Sequence, residues 1–183
     1  MDELTEQCLE TFPVWLASLG SDARALAASA SSSGLGEAPS RLVVGALNYL
    51  LKSLDLIPDG IEDLGFIDDA FVLRAACSLA VADFGQAPVD DTLSTVRRLG
   101  DEAALIEQFL GEDYSRLLAY ARRLGEGAAR GRSVDEILTD PSARAAWVAD
   151  IEAWANSYEG PGFTRDSRSL VKLQSFLKAK LPT

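Results

Sequence analysis

The sequence predicts an all-α fold, a helical bundle organised around a buried antiparallel helical hairpin, and three observations carry that prediction. Apolar residues recur at helical spacing along most of the chain. The two most continuously apolar stretches, Leu42–Leu51 and Ala70–Phe84, flank an acidic turn punctuated by Pro58 and Gly60. Strand-like alternation is absent throughout. Its 183 residues suffice for one domain with a substantial core, so a single helical domain is expected over 1–183. Within it, 1–36 holds N-terminal helices and a Ser/Gly linker, 37–88 the hairpin, and 89–183 C-terminal helices.

Leu4, Cys8, Leu9, Phe12, Trp15, Leu16 and Leu19 form the stripe of a first helix. Pro13 should bend it or start a second one, because proline lacks the N–H and crowds the preceding turn. Asp22 to Ala30 is Ala-rich and fits a helix; Ser31 to Gly36 reads as a flexible linker. Pro39 and Ser40 open the next helix, which has almost no polar face before Lys52. Beyond the acidic turn, Ala70 to Phe84 is apolar apart from Arg74, Ser78 and Asp83. Helices that are hydrophobic all round belong in a core.

Gly85 to Pro88 should end that pair, with Asp90 or Asp91 capping a helix through Leu93, Val96, Leu99, Leu105, Ile106 and Phe109. Gly100 is expected to break or kink it. A further helix fits Glu112 to Leu124. Ser133 with Glu136 makes a capping-box pattern for Val134–Leu138. Asp140 caps the following helix, Pro141 takes its first turn, and Trp147, Ile151, Trp154 and Tyr158 line one face. The last helix, Arg165 to Leu181, sets Leu170, Leu173, Phe176 and Leu177 opposite Arg168, Lys172 and Lys178.

The turn at the centre has its own signature. Tyr49-Leu50-Leu51, Leu54-Asp55-Leu56-Ile57-Pro58-Asp59 and Leu64-Gly65-Phe66-Ile67-Asp68-Asp69 resemble the pattern of the YkvA-like family, a bacterial domain of unknown function. The resemblance covers about residues 41 to 84. It implies a helical hairpin and brings no established activity. Lys52-Ser53 stands where the family has Ser-Pro, and Gly60, Glu62 and Asp63 replace an apolar, Pro-containing run. This elbow is therefore more acidic than the family's usual one.

Composition excludes several kinds of chemistry. With no histidine there is no Ser-His or Cys-His nucleophile and no His-ligated zinc or haem. Cys8 and Cys77 are too few for a Cys₄ site and read as core residues in a reducing cytoplasm. The acidic N-terminus lacks the pattern of a secretory signal, and Arg74 interrupts the best candidate membrane span. The whole net charge of −11 falls in residues 1–95. Such a surface repels nucleic acid and attracts cations or a basic protein partner. A membrane surface under the basic last helix is a further, less favoured partner.

Asp55, Asp59, Asp68 and Asp69 are the candidate metal ligands, since a hard ion such as Mg²⁺, Mn²⁺ or Ca²⁺ needs converging carboxylate oxygens. Capping is the favoured reading and requires no cofactor. Asp59 can cap a short turn with Glu62 at its third position, Asp55 can accept from turn amides, and Asp68 and Asp69 fall in a first helical turn. Gly125, Gly127 and Gly131 among Arg122, Arg123, Arg130 and Arg132 match no phosphate-binding motif and read as an arginine-bearing connection. The functional expectation is a non-catalytic binding or regulatory module. The alternatives are a Mg²⁺- or Mn²⁺-dependent hydrolase at the elbow and a peripheral membrane protein.

Overall fold

The computed structural model describes residues 1–52, 55–61, 64–84 and 90–183. The expected roles of Glu62 and Asp63, and of Gly85 to Pro88, lie outside the described residues. The chain runs α1 (Glu3–Ser31), α2 (Glu37–Leu50), α3 (Ile67–Phe84), α4 (Asp91–Leu110), a 3-10 turn (Gly111–Asp113), α5 (Tyr114–Leu124), β1 (Ala128–Ala129), β2 (Arg132–Ser133), α6 (Val134–Thr139), α7 (Pro141–Ser157) and α8 (Ser167–Lys180). It is an all-α bundle, and α3 is its axis. That helix packs against α1, α2, α4 and α5. Every residue from Ile67 to Cys77 is buried, the polar Asp68, Asp69 and Arg74 included.

Local chemistry explains most boundaries. Asp2, Asp90, Ser133, Asp140 and Asp166 each accept a hydrogen bond from a first-turn amide. At Ser133 the full capping box forms, with Glu136 bonding back to the Ser133 amide. Pro39 lies in the first turn of α2, where no N–H is needed, although the helix already starts at Glu37.

Three expectations are corrected by packing. α1 continues through Pro13 as one 29-residue helix. Phe12, Trp15 and Leu16 on either side of the proline are buried, and each such side chain contributes about 1.5–3 kcal/mol, enough to hold the missing turn together. Ser31–Gly36 is a short turn anchored by buried Leu35 rather than an open tether. α4 runs unbroken through Gly100, because the glycine serves a close approach: a Cβ there would lie 2.9 Å from Val81 Cγ2 and 3.1 Å from the Cys77 carbonyl oxygen. The arginine-bearing connection is a two-residue β-ribbon, Ala128–Ala129 against Arg132–Ser133. Its central residues Arg130 and Gly131 both have positive φ, as a type I′ turn demands.

The core is one cluster that includes an edge-to-face group of Phe12, Phe71 and Phe109. Cys8 and Cys77 are buried and unpaired with each other. On α8, Leu170, Leu173 and Leu177 are buried against the bundle, while Phe176 is only partly covered. Among the described residues no helix is long and apolar enough to cross a membrane.

Candidate functional site

The carboxylates of the elbow come together at one end of α3. Asp68 and Asp69 open that helix, yet neither is a surface cap: they are 0% and 2% exposed. The Tyr49 hydroxyl, at the end of α2, donates to Asp68 Oδ2 over 2.5 Å. Tyr49 in turn accepts the Leu56 amide at 2.5 Å, and Asp68 Oδ2 accepts the Ile57 amide at 3.1 Å. The elbow backbone is thus tied to both helices through one phenol and one carboxylate. The Leu56 and Ile57 amides go to Tyr49 and Asp68.

Asp55 is half-buried and lies within hydrogen-bonding reach of Asp59. Two carboxyl groups make that contact only when one of them carries a proton. Asp59 sits at the exposed rim, and the turn it was expected to cap includes Glu62 and Asp63, which lie outside the described residues. Its carbonyl matters more, because a Cβ on Gly65 would lie 2.3 Å from the Asp59 oxygen. Glycine at 65 lets the elbow fold onto itself, where Ile61 N–H bonds the Pro58 carbonyl and Gly65 N–H the Ile61 carbonyl, both at 3.0 Å. Phe66 follows with φ of 65°, a left-handed conformation costly for a residue with a Cβ. Its ring packs edge-on to Tyr158 at 5.2 Å and near Trp154 at 6.3 Å. The aromatic face of α7 is therefore packing for the elbow, and Trp147 is fully buried with its Nε1–H donating to Asn48 Oδ1.

Electrostatically the site resists ionisation. Burial, then the charges of Asp59 and Asp68, push the Asp55 carboxyl up to about 7. Burial raises Asp68 as well, opposed by its bonds from Tyr49 and Ile57. Asp69 is raised well above the usual carboxylate range by burial and then by Asp68, Asp55 and Asp59. Burial, and then the neighbouring Asp68, also raises the Tyr49 phenol, which keeps it a donor. Asp55 Oδ1, Asp68 Oδ1 and Asp69 Oδ2 are buried without a hydrogen-bond partner among the described residues. Among the described residues no three acidic or sulfur ligands are arranged to hold a metal ion. Burial and mutual repulsion both favour the neutral form for part of this cluster.

A second buried polar group went unread in the sequence. Arg74, 0% exposed, bonds Glu102 at 2.8 Å and the Ala70 carbonyl at 3.1 Å, and lies 3.7 Å from Asp22. Its guanidinium stacks 4.1 Å from the Trp15 ring. Arg98 closes the network, 2.5 Å from Asp22 and 3.2 Å from Glu102. The signal was available: a single cation in an otherwise apolar buried helix demands charged partners elsewhere in the chain. Tyr49 gave no comparable signal, since a tyrosine in an apolar helix reads as ordinary core.

Residues 41–75 match the model of a family described as a protein of unknown function (DUF1232), the YkvA-like family resembled by the sequence. The match is to a segment, and that segment contains Tyr49, Asp55, Asp59, Asp68, Asp69 and Arg74. No curated protein and no solved structure matches the chain.

Proposed function

We propose that this protein is a non-catalytic binding or regulatory module in which α2 and α3 act as a helical hairpin and the acidic elbow between them is a proton-holding latch. The bonding of Asp68 is the observation that carries the reading. One oxygen of this fully buried carboxylate takes both the Tyr49 hydroxyl and the Ile57 amide. A group committed in this way holds the loop; it is poorly placed to activate water. The negative surface of residues 1–95 favours a basic protein segment as the partner. α8 turns Leu170, Leu173 and Leu177 into the bundle and leaves Val171 and part of Phe176 outward, so less of its apolar face is free for a membrane surface.

The three unpartnered carboxylate oxygens favour one competing reading, a hard divalent cation and a Mg²⁺- or Mn²⁺-dependent hydrolase built on Asp55, Asp59, Asp68 and Asp69. Two measurements separate them. Hydrogen exchange should show the Leu56 and Ile57 amides protected in the wild type and markedly less so in Tyr49→Phe, which removes the hydroxyl that joins them. Phosphomonoester and phosphodiester substrates with Mg²⁺ or Mn²⁺ should give no turnover above buffer. Turnover that disappears in Asp55→Asn would put the hydrolase first.

A further inference from the structure

A cavity of about 570 Å³ lies away from the elbow, where the C-terminal end of α1 meets the start of α2 and α6 and α7 supply the rest of the wall. Ser40 lines it. The residue is 6% exposed, and its hydroxyl has no partner among the described residues. Gly36 caps α2 without a side-chain hydrogen bond, so the first turn beside Ser40 has no side-chain acceptor of its own.

The charges of the wall separate into committed and uncommitted groups. Arg41 is engaged by Asp135 at 2.5 Å and by the Gly125 carbonyl at 3.1 Å. Arg144 donates from Nε to the Ile137 carbonyl at 3.1 Å and from Nη2 to the Leu138 carbonyl at 2.5 Å. Its Nη1 and its charge have no carboxylate partner among the described residues. Glu37, in the first turn of α2, likewise forms no ion pair among them. One cation, one anion and the hydroxyl of a mostly buried serine are therefore left over on the same cavity wall. A phosphate dianion would meet the Glu37 carboxylate, whereas a molecule carrying both charges would meet a complement to each.

We propose that this cavity binds a small zwitterion of the α-amino-acid type, its carboxylate received by Arg144 and the Ser40 hydroxyl and its ammonium by Glu37. None of the elbow carboxylates lines the cavity, so the site stands apart from the latch.

Calorimetric titration of the full chain tests this with glycine, L-serine, L-leucine, L-lysine and L-glutamate, using acetate, methylammonium and inorganic phosphate as single-charge probes. At least one amino acid should bind saturably, and more tightly than any of the three probes. Ser40→Ala should weaken that binding about three- to ten-fold, the scale of one hydrogen bond, without lowering the melting temperature, because it removes a hydroxyl that has no partner in the free protein. Glu37→Gln, at an exposed position, should weaken it about ten-fold or more through loss of a charge-assisted bond. Asp55→Asn should leave it unchanged. Absence of binding by every amino acid, tighter binding of phosphate, or full affinity in Ser40→Ala and Glu37→Gln would overturn the proposal.

Discussion

Raising the pH from 5 to 8 should weaken this fold, and Asp55 is the residue through which the effect can be measured. An unfolded aspartate titrates near 3.9, whereas the folded Asp55 carboxyl is held up at about 7. Between these values the folded chain binds more protons than the unfolded chain. Stability must therefore fall as pH rises through that window and level off above it. Taken at full value the difference corresponds to about 4 kcal/mol. Asp55 is only half-buried, and water screens part of the interaction, so roughly 1–2 kcal/mol is the expected loss. For a chain of this size that lowers Tm by roughly 2–8 °C, at ~2–4 °C per kcal/mol. Asp68 and Asp69 are also raised and act in the same direction. Asp55→Asn isolates the contribution. The amide cannot ionise and can still donate to Asp59, so the variant should match the wild type at pH 5 and exceed it by roughly 1–2 kcal/mol at pH 8. Thermal melts followed by circular dichroism at fixed ionic strength, without divalent ions, give both curves. Mg²⁺, Mn²⁺ or Ca²⁺ at pH 8 should then move Tm by less than about 2 °C, whereas a site filled at 100 times its Kd would add ~2.7 kcal/mol. Wild-type stability that is flat or rises from pH 5 to 8, or an Asp55→Asn variant with the wild-type slope, would refute the reasoning.

Two further perturbations probe the frame that holds the elbow. Arg74→Ala should destabilise by about 3–5 kcal/mol, because Asp22 and Glu102 lose their central cation in a buried site; urea unfolding measures it, and a loss under 1 kcal/mol would show Arg98 to be sufficient alone. Gly45→Ala should cost about 1–3 kcal/mol, since its Cβ would lie 2.5 Å from the Gly125 amide nitrogen and the Leu124 carbonyl carbon, both backbone atoms that cannot rotate away. The same unfolding curve checks it, and a neutral result would mean that α2 and α5 slide apart freely.

Local chemistry made much of this protein legible in advance. Asp90, Ser133 and Asp140 cap their helices as their spacing foretold, because a cap depends only on residues within one turn. The 70–84 stretch, apolar apart from Arg74, Ser78 and Asp83, announced a helix at the centre of the bundle, and its residues through Cys77 are buried. The gathering of acids at the elbow was equally plain.

Tertiary contacts decided the rest. Pro13 and Gly100 carry local signals for a break or a bend, yet α1 and α4 both run on without a break, with the neighbours of Pro13 buried and α4 close against α3 at Gly100. Asp68 looks like an exposed helix cap in sequence; only the position of Tyr49, nineteen residues earlier, turns it into a buried anchor for the elbow. Arg74 finds Asp22 and Glu102 on two other helices, and Ser40 and Arg144, more than a hundred residues apart, line one cavity. The physical reason is common to all of them. A capping bond spans three residues and is written in their order, whereas the environment of a buried charge is set by helices that become neighbours only when the bundle closes.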